Sequence, residues 1–565
     1  MEPRNQAQQK RHARETIYLI GEGTYDYQGK VNSFRNFVQS FDSFFKTNLS
    51  PLIYEETDFR FSRMFKETEL PPISNDNLIA LGKAMIQPAP SPNHGEDEGE
   101  NEHSDNSDIP AGYTFLGQFI SHDISFDGKR MIFPLGLINL AEVTSKRSPT
   151  VELDSLYGRF SDINNRDTFS ELYREDGRRF KVAITVKDEE HLNAKFGTEN
   201  DLPRKDRIAL IADKRNDENL GIAQMHVAFL RFHNAVVDYL EKNKLVAEDK
   251  LFETAREIVI KHYQGVILGD FLTNIVDNSI LYDVIEWAKT KDAKLDWLKD
   301  EDEPFIPIEF SVAGFRFGHS VLQDAYDWNE IFKLPHLNGT FERLFLFTGA
   351  SDIDIIGRMG GFDNLLGSWA IDWRRFFDFS KYNIQTVKLN TSRKIDPQIA
   401  FTFLQLPEFI IQKSPFREQN LASRNLVRGK ALSLPTGEEV VAQMTAAHAD
   451  KLIGKTVLTA DEITSGPHET ILKDPNFQGK TPLWYYILKE AEIIGGGSRL
   501  GTIGSYIVAE TLVKLIQRSP ISVFDGKWNS QFSFINGKNP LDGVEMADLI
   551  KFADSATQPL INPLG

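Results

Sequence analysis

Residues 212–240 read ADKRNDENLGIAQMHVAFLRFHNAVVDYL. Apolar residues fall at Ile222, Met225, Phe229, Phe232, Val236 and Tyr239, spaced 3, 4, 3, 4, 3. That rhythm lays one apolar stripe along a long helix. Just before it stand Arg215 and Glu218, at the i, i+3 spacing that also describes an ordinary surface ion pair of small energetic weight. His226 and His233 are seven apart, about 10 Å along a helix axis, so they do not converge on a metal and read as core histidines. The stretches 252–275, 361–376, 482–493 and 504–517 read as helices too, and strand-like alternation is scarce. The expected fold class is mainly α, one large helical domain with little β structure.

The chain has 565 residues, 12 histidines and no cysteine. Disulfides, thiolate nucleophiles, thiolate-held zinc and Cys-held iron–sulfur clusters are therefore excluded. Histidine becomes the first place to look for a ligand to iron. The net charge of −17 argues against a nucleic-acid surface. No run of 18 apolar residues suggests a transmembrane helix. The start, MEPRNQAQQKRHARE, lacks the apolar stretch of a signal peptide, so the expected location is cytoplasmic, or outside the cell by leaderless export. Seven acidic residues and no Lys or Arg lie between His94 and Asp108, which makes 91–109 a solvated, mobile loop. The expected organisation is an N-terminal arm over 1–109, a catalytic domain over 110–540 and a tail over 541–565. The piece FRNFVQSFDSFF (34–45) reads as an amphipathic helix or a packing arm.

Four other segments carry candidate chemistry. In GYTFLGQFISHDISFD (112–127), Gln118 and His122 share a helix face, and Asp123 is turned about 100° away. A satisfied core histidine beside a solvated aspartate is the other reading. SPTVELDSLYG (148–158) alternates oxygen-bearing residues, either an ordinary acidic loop or a row of hard ligands. SVAGFRFGHSVLQ (311–323) sets His319 in apolar surroundings, as a core residue or a metal ligand. NLASRNLVRGKALSLP (420–435) holds Asn425 and Arg428 one turn apart, suited to a histidine's second N–H and to a carboxylate. GGGSRLGTIGS (495–505) lacks a P-loop ending and reads as a turn between helices.

Together, LGQFISHD, RNDE, MHVAFLRFHN, FRFGHS and NLVRG resemble the animal-type haem peroxidases of the peroxidase–cyclooxygenase superfamily, including bacterial members, in order and spacing over about 110–520. The resemblance implies haem b held through His319, with Asn425, Arg428, Glu218 and Arg316 also on the cofactor. It implies His122 as the distal acid–base, Arg215 as the charge-stabilising partner and Gln118 beside them. It implies calcium on Asp123, Ser148, Thr150, Glu152 and Asp154, where Glu152 departs from the family's usual Asp. Ser121 replaces an ester-forming Asp and Asn219 a sulfur-linked Met, so at most one covalent haem link remains, through Glu218.

The implied function is reduction of hydrogen peroxide with oxidation of small donors, phenols or halides. One rival is a fatty-acid dioxygenase or cyclooxygenase-like enzyme of the same superfamily. Those carry a radical-forming Tyr three residues before the proximal His, and here that position is Arg316. A second rival is a non-catalytic, calcium-stabilised binding protein.

Overall fold

The computed structural model describes residues 59–70, 72–88, 105–126, 136–159, 170–205, 208–290, 305–333, 339–340, 343–345, 348, 364–404, 420–452, 454–535 and 537–565, with the backbone strands Ile17–Leu19 and Gly23–Tyr25. The piece 34–45, His94 and His103 lie outside the described residues. The fold is mainly α, as expected. Its site-bearing helices are α1 (Asn75–Ala84), α2 (Gly112–Ile124), α3 (Leu220–Lys242), α4 (Leu251–Val266), α5 (Asn278–Lys289), α6 (Leu421–Ala431), α7 (Leu483–Ile493), α8 (Thr502–Arg518) and α9 (Met546–Ala553). Among the described residues no helix is long and apolar enough to cross a membrane.

Helix α3 starts where Asn219 accepts a hydrogen bond from the Ile222 backbone N–H, a standard N-cap. Its apolar stripe is buried against α2, α4 and α9. Phe119 of α2 stacks on Phe229 of α3 with centroids 4.6 Å apart, and Tyr263 of α4 meets both rings edge-on. The helices approach so closely that a Cβ on Gly221 would lie 2.1 Å from the Phe115 ring. Gly221→Ala should therefore cost about 1–3 kcal/mol, the usual range for overpacking a core, read as a lower thermal midpoint.

The few strands are short. Phe59–Ser62 pairs antiparallel with Thr144–Ser145 and parallel with Ile306–Pro307; Asn106–Pro110 pairs with Thr391–Arg393. The described end of the acidic loop is therefore paired strand rather than solvated loop: Ile109 is buried, and Asn106 and Pro110 pair with Arg393 and Thr391. The segment 59–88 docks on the core. The Glu309 carboxylate accepts from Met64 N (3.0 Å) and Phe65 N (3.2 Å), and α1 lies on α6 at Gly82, where a Cβ would meet Ser423 N at 2.4 Å. Helix α9 packs on α3, with Met546 N donating to Asp270. One buried cluster runs from Phe61 to Ile561, across both boundaries drawn from the sequence at 109 and 540.

Helices α7 and α8 bracket the glycine run, which is the turn expected between them, and Glu490 accepts from Ile503 N and Gly504 N at the start of α8. The expected helix over 361–376 does not form in its described part. Residues 364–376 hold two short 3-10 turns, Gly367–Trp369 and Trp373–Arg375, because neighbouring segments take the backbone groups: Gly367 N donates to Val186 O and Trp373 N to Ile561 O.

Candidate active site

Gln118 and His122 sit on α2, four residues apart and both buried. Asn216 Oδ1 lies 2.8 Å from His122 Nδ1, while His122 Nε2 has no partner among the described residues. Burial, then the nearby Arg215 charge, holds the His122 pKa down at about 3, against an opposing pull from Asp213. Gln118 Oε1 accepts from Asn219 Nδ2 (3.2 Å), and its Nε2 is likewise unpartnered. Two polar nitrogens on one helix face, buried and unbonded, are unusual enough to need an explanation.

Arg215 comes from the 3-10 turn Lys214–Asp217, whose start is fixed by Asp213 accepting from Arg215 N. Its guanidinium donates to Asp213, to His122 O (2.7 Å) and to Ser125 O (2.9 Å), and it lies over the Phe126 ring. These bonds commit four of its roughly five N–H groups. Asp213 also receives Arg147 at 2.7 Å. Burial works to raise the Asp213 pKa, but the Arg147 and Arg215 guanidiniums hold it well below the usual carboxylate range. The turn is thus rigid, and Arg215 is aimed by bonds on several sides.

A small cleft opens beside this turn. Arg215, Arg316 and Arg428 line it, with Phe61, Ile308 and Val312 among its apolar walls. Three guanidiniums in one cleft suit a ligand bearing carboxylates. His319 ends the 3-10 turn Gly314–His319, buried, with Phe403 at 5.7 Å and Trp484 at 6.2 Å between ring centroids. Trp484 Nε1 donates to Arg316 O and pins that turn to α7. Asn425 is buried on α6, and neither its Oδ1 nor its Nδ2 has a partner, so no bond joins it to His319 here. Glu218 is buried at the end of the Arg215 turn.

The expected calcium residues gather next to α2. Asp123 points away from the His122 face, as its position on the helix predicts, and accepts from Leu153 N (3.2 Å) and Ser155 N (3.1 Å). Leu153 takes a left-handed conformation (φ 59°) that turns the loop onto it. Asp154 accepts from the Ser148 backbone N–H and hydroxyl, and Thr150 Oγ1 donates to Ser148. Burial, then the neighbouring Asp154, pushes the Asp123 pKa up to about 8, and burial raises Asp154 as well. Glu152 joins this group through Thr150. Its Oε1 accepts from Ile521 N and its Oε2 from Thr150; burial raises its pKa, against the opposing pull of the Arg256 charge. Among the described residues no set of three or more His, Asp or Glu side chains forms a metal cluster, so two carboxylates and hydroxyls are what the loop offers.

The sequence reading missed Asn216, Asp213 and Arg147. It also took both helix histidines as core residues. His233 is one: Tyr157 OH lies 2.8 Å from its Nδ1 and Arg178 O 2.8 Å from its Nε2. His226 is one too, fully buried, with its Nδ1 2.9 Å from Asn216 Nδ2.

Residues 155–372 match the family described as animal haem peroxidase. That span includes Arg215, Glu218 and His319 but not His122, the Ser148–Asp154 loop or Asn425. A peroxidase-like protein of Margaritifera margaritifera is 29% identical over 126 residues, 22% of this chain and 16% of that protein, so the chain spans only a small part of that relative. Among solved structures, peroxidase A from Dictyostelium discoideum is similar with a TM-score of 0.55 and 15% identity, over 90% of this chain and 94% of that one. A fatty acid alpha-dioxygenase from Arabidopsis thaliana gives 0.52 and 14%, over 86% and 78%. At those identities the two structures speak for the fold alone.

Proposed function

We propose that the chain, whose residues 155–372 match the animal haem peroxidase family, is a haem-dependent peroxidase that reduces hydrogen peroxide and oxidises small donors, phenols or halides. The observation that carries the proposal is the buried Nε2 of His122, a neutral imidazole nitrogen with no partner among the described residues. A general base needs that kind of nitrogen.

The residues fit haem. His319 would ligate the iron, Arg316 and Arg428 would meet its carboxylates, and the unbonded Asn425 amide is available to a histidine's second N–H. Bound there, haem supplies the redox centre between peroxide and donor. The chain's own work is proton handling. His122 Nε2 takes a proton from the peroxide oxygen and returns it to the leaving oxygen, so that water leaves rather than hydroxide. Arg215, fixed by Asp213, stabilises the charge that develops, typically worth ~3–4 kcal/mol per donor. Gln118 Nε2 offers a further donor on the same helix face. Any covalent link runs through Glu218, since Ser121 has no carboxyl.

An absorbance spectrum with and without peroxide tests this. A Soret band that shifts on peroxide, and turnover of a phenol without dioxygen, are the expected results. A chain without a Soret band, or oxygen uptake with linoleate in place of peroxide turnover, would overturn it. Arg316, where an oxygenase needs Tyr, weighs against the second outcome.

We assign calcium to Asp123, Asp154, Ser148 and Thr150, whose hard oxygens suit it. Glu152, whose Oε2 accepts from Thr150, belongs to the same proposed set. A bound cation would relieve the buried carboxylates of each other. Removing it with a chelator should lower the thermal midpoint, by the equivalent of about 2.7 kcal/mol if the ion was at 100 times its Kd. Asp154→Asn should melt lower and lose the chelator response.

A further inference from the structure

His122 and His226 are joined by one side-chain amide. Asn216 Oδ1 stands 2.8 Å from His122 Nδ1, and Asn216 Nδ2 stands 2.9 Å from His226 Nδ1. All three residues are 0% exposed. An amide oxygen only accepts and an amide NH₂ only donates, while a neutral imidazole has one N–H and one lone pair. The two rings must then be opposite tautomers. His122 donates from Nδ1 and keeps its lone pair on Nε2. His226 accepts at Nδ1 and keeps its proton on Nε2, which has no hydrogen-bond partner among the described residues; its ring lies 6.0 Å from that of Phe119 between centroids. Reversing the amide would swap both rings together and put a proton on His122 Nε2, where it could no longer act as a base.

We propose that Asn216, held by His226, is a positioning residue that locks His122 in the Nδ1–H tautomer, so that Nε2 is the working nitrogen. This rests on the reading of His122 as the distal base. The backbone supports it. Asn216 N donates to Asp213 O, and Asn216 belongs to the same capped turn that aims Arg215, so one rigid turn sets both the base and its charged partner.

The choice of an amide has a chemical consequence. When His122 takes a proton at Nε2 it keeps its Nδ1–H on Asn216 Oδ1, and no bond has to rearrange. Asn216 cannot accept that Nδ1 proton, as a carboxylate could. The proton gained at Nε2 is therefore returned from Nε2, to the departing oxygen. This is the orienting role that a carbonyl or carboxylate plays behind other histidine bases, where the wrong tautomer is costly.

The full chain labelled with ¹⁵N at histidine, compared with His122→Gln and His226→Gln chains for assignment, should show His122 as Nδ1–H and His226 as Nε2–H, with or without haem. Asn216→Ala should keep its Soret band but react with peroxide about 100-fold more slowly. Asn216→Asp, which accepts from both rings, should recover most of that rate and turn His226 to the Nδ1–H form. Both rings in one tautomer, or an Asn216→Ala rate equal to the parent's while His122→Ala is slow, would overturn the role of Asn216 and leave the peroxidase reading standing. An unimpaired His122→Ala would instead overturn the reading beneath it. If Asn216→Ala fails to fold, the tautomer of His226 in Asn216→Asp decides the matter.

Discussion

Replacing His319 with alanine should strip the protein of haem. The imidazole ends a turn held from both sides, by Trp484 Nε1 on Arg316 O and by Arg316 Nε on Ser311 O (3.0 Å). It is packed between Phe403 and Trp484, and no other histidine in the described structure shares that turn. If it is the protein ligand to iron, its loss removes a coordination bond, and even groups that only orient a ligand are worth about 10–100-fold in affinity. The Soret absorbance per chain should fall by at least that factor, and peroxide turnover with it. Truncating a buried ring also leaves a cavity that costs a few kcal/mol, so the variant's thermal midpoint should be measured alongside. Free imidazole separates the two effects. It should enter the cavity and restore part of the Soret band if the loss was one of ligation, and should do nothing if the fold had failed. Normal haem content and normal turnover in His319→Ala would sink the assignment.

The parts of the molecule legible in the sequence are those with a local cause. The stripe from Ile222 to Val236 is buried in α3, which runs Leu220–Lys242 and is buried all round from Leu220 to Asn234. Helical geometry alone separates the His122 face from Asp123, and the structure sends the two to different neighbours, Asn216 and the 153–155 loop. What stayed hidden depends on contacts between distant segments. Asn216 has no periodic signal and lies inside a motif whose visible members are Arg215 and Glu218; its meaning needs His122, 94 residues earlier. Glu152 sits in the right alternation for a cation, but its bond from Ile521 N, 369 residues on, has no local signal. Residues 361–376 have helical composition, and tertiary bonds to Val186 and Ile561 override it. His226 is buried as a core histidine would be, and only its hydrogen bond reveals the connection to His122.

The second large effect belongs to His122. Alanine there should leave haem in place, because the residue lies on α2 and not on the His319 turn, while the second-order rate with peroxide falls by about 10²–10⁴, the usual worth of a positioned acid–base group. The cause is specific. Arg215 remains anchored by Asp213, Ser125 O and, through the backbone, residue 122 itself, so charge stabilisation survives and only proton transfer is lost. The pH dependence gives a separate check on the parent protein. Burial and the Arg215 charge hold the His122 pKa at about 3, so lowering the pH does not protonate it until well into the acid range. The peroxide rate should stay level between about pH 5 and 8, the interval in which an ordinary histidine would titrate. A rate that halves near pH 6.5 would mean that the working base is a solvated histidine elsewhere. An unchanged rate in His122→Ala would mean the same, and would remove the observation on which the proposed function stands.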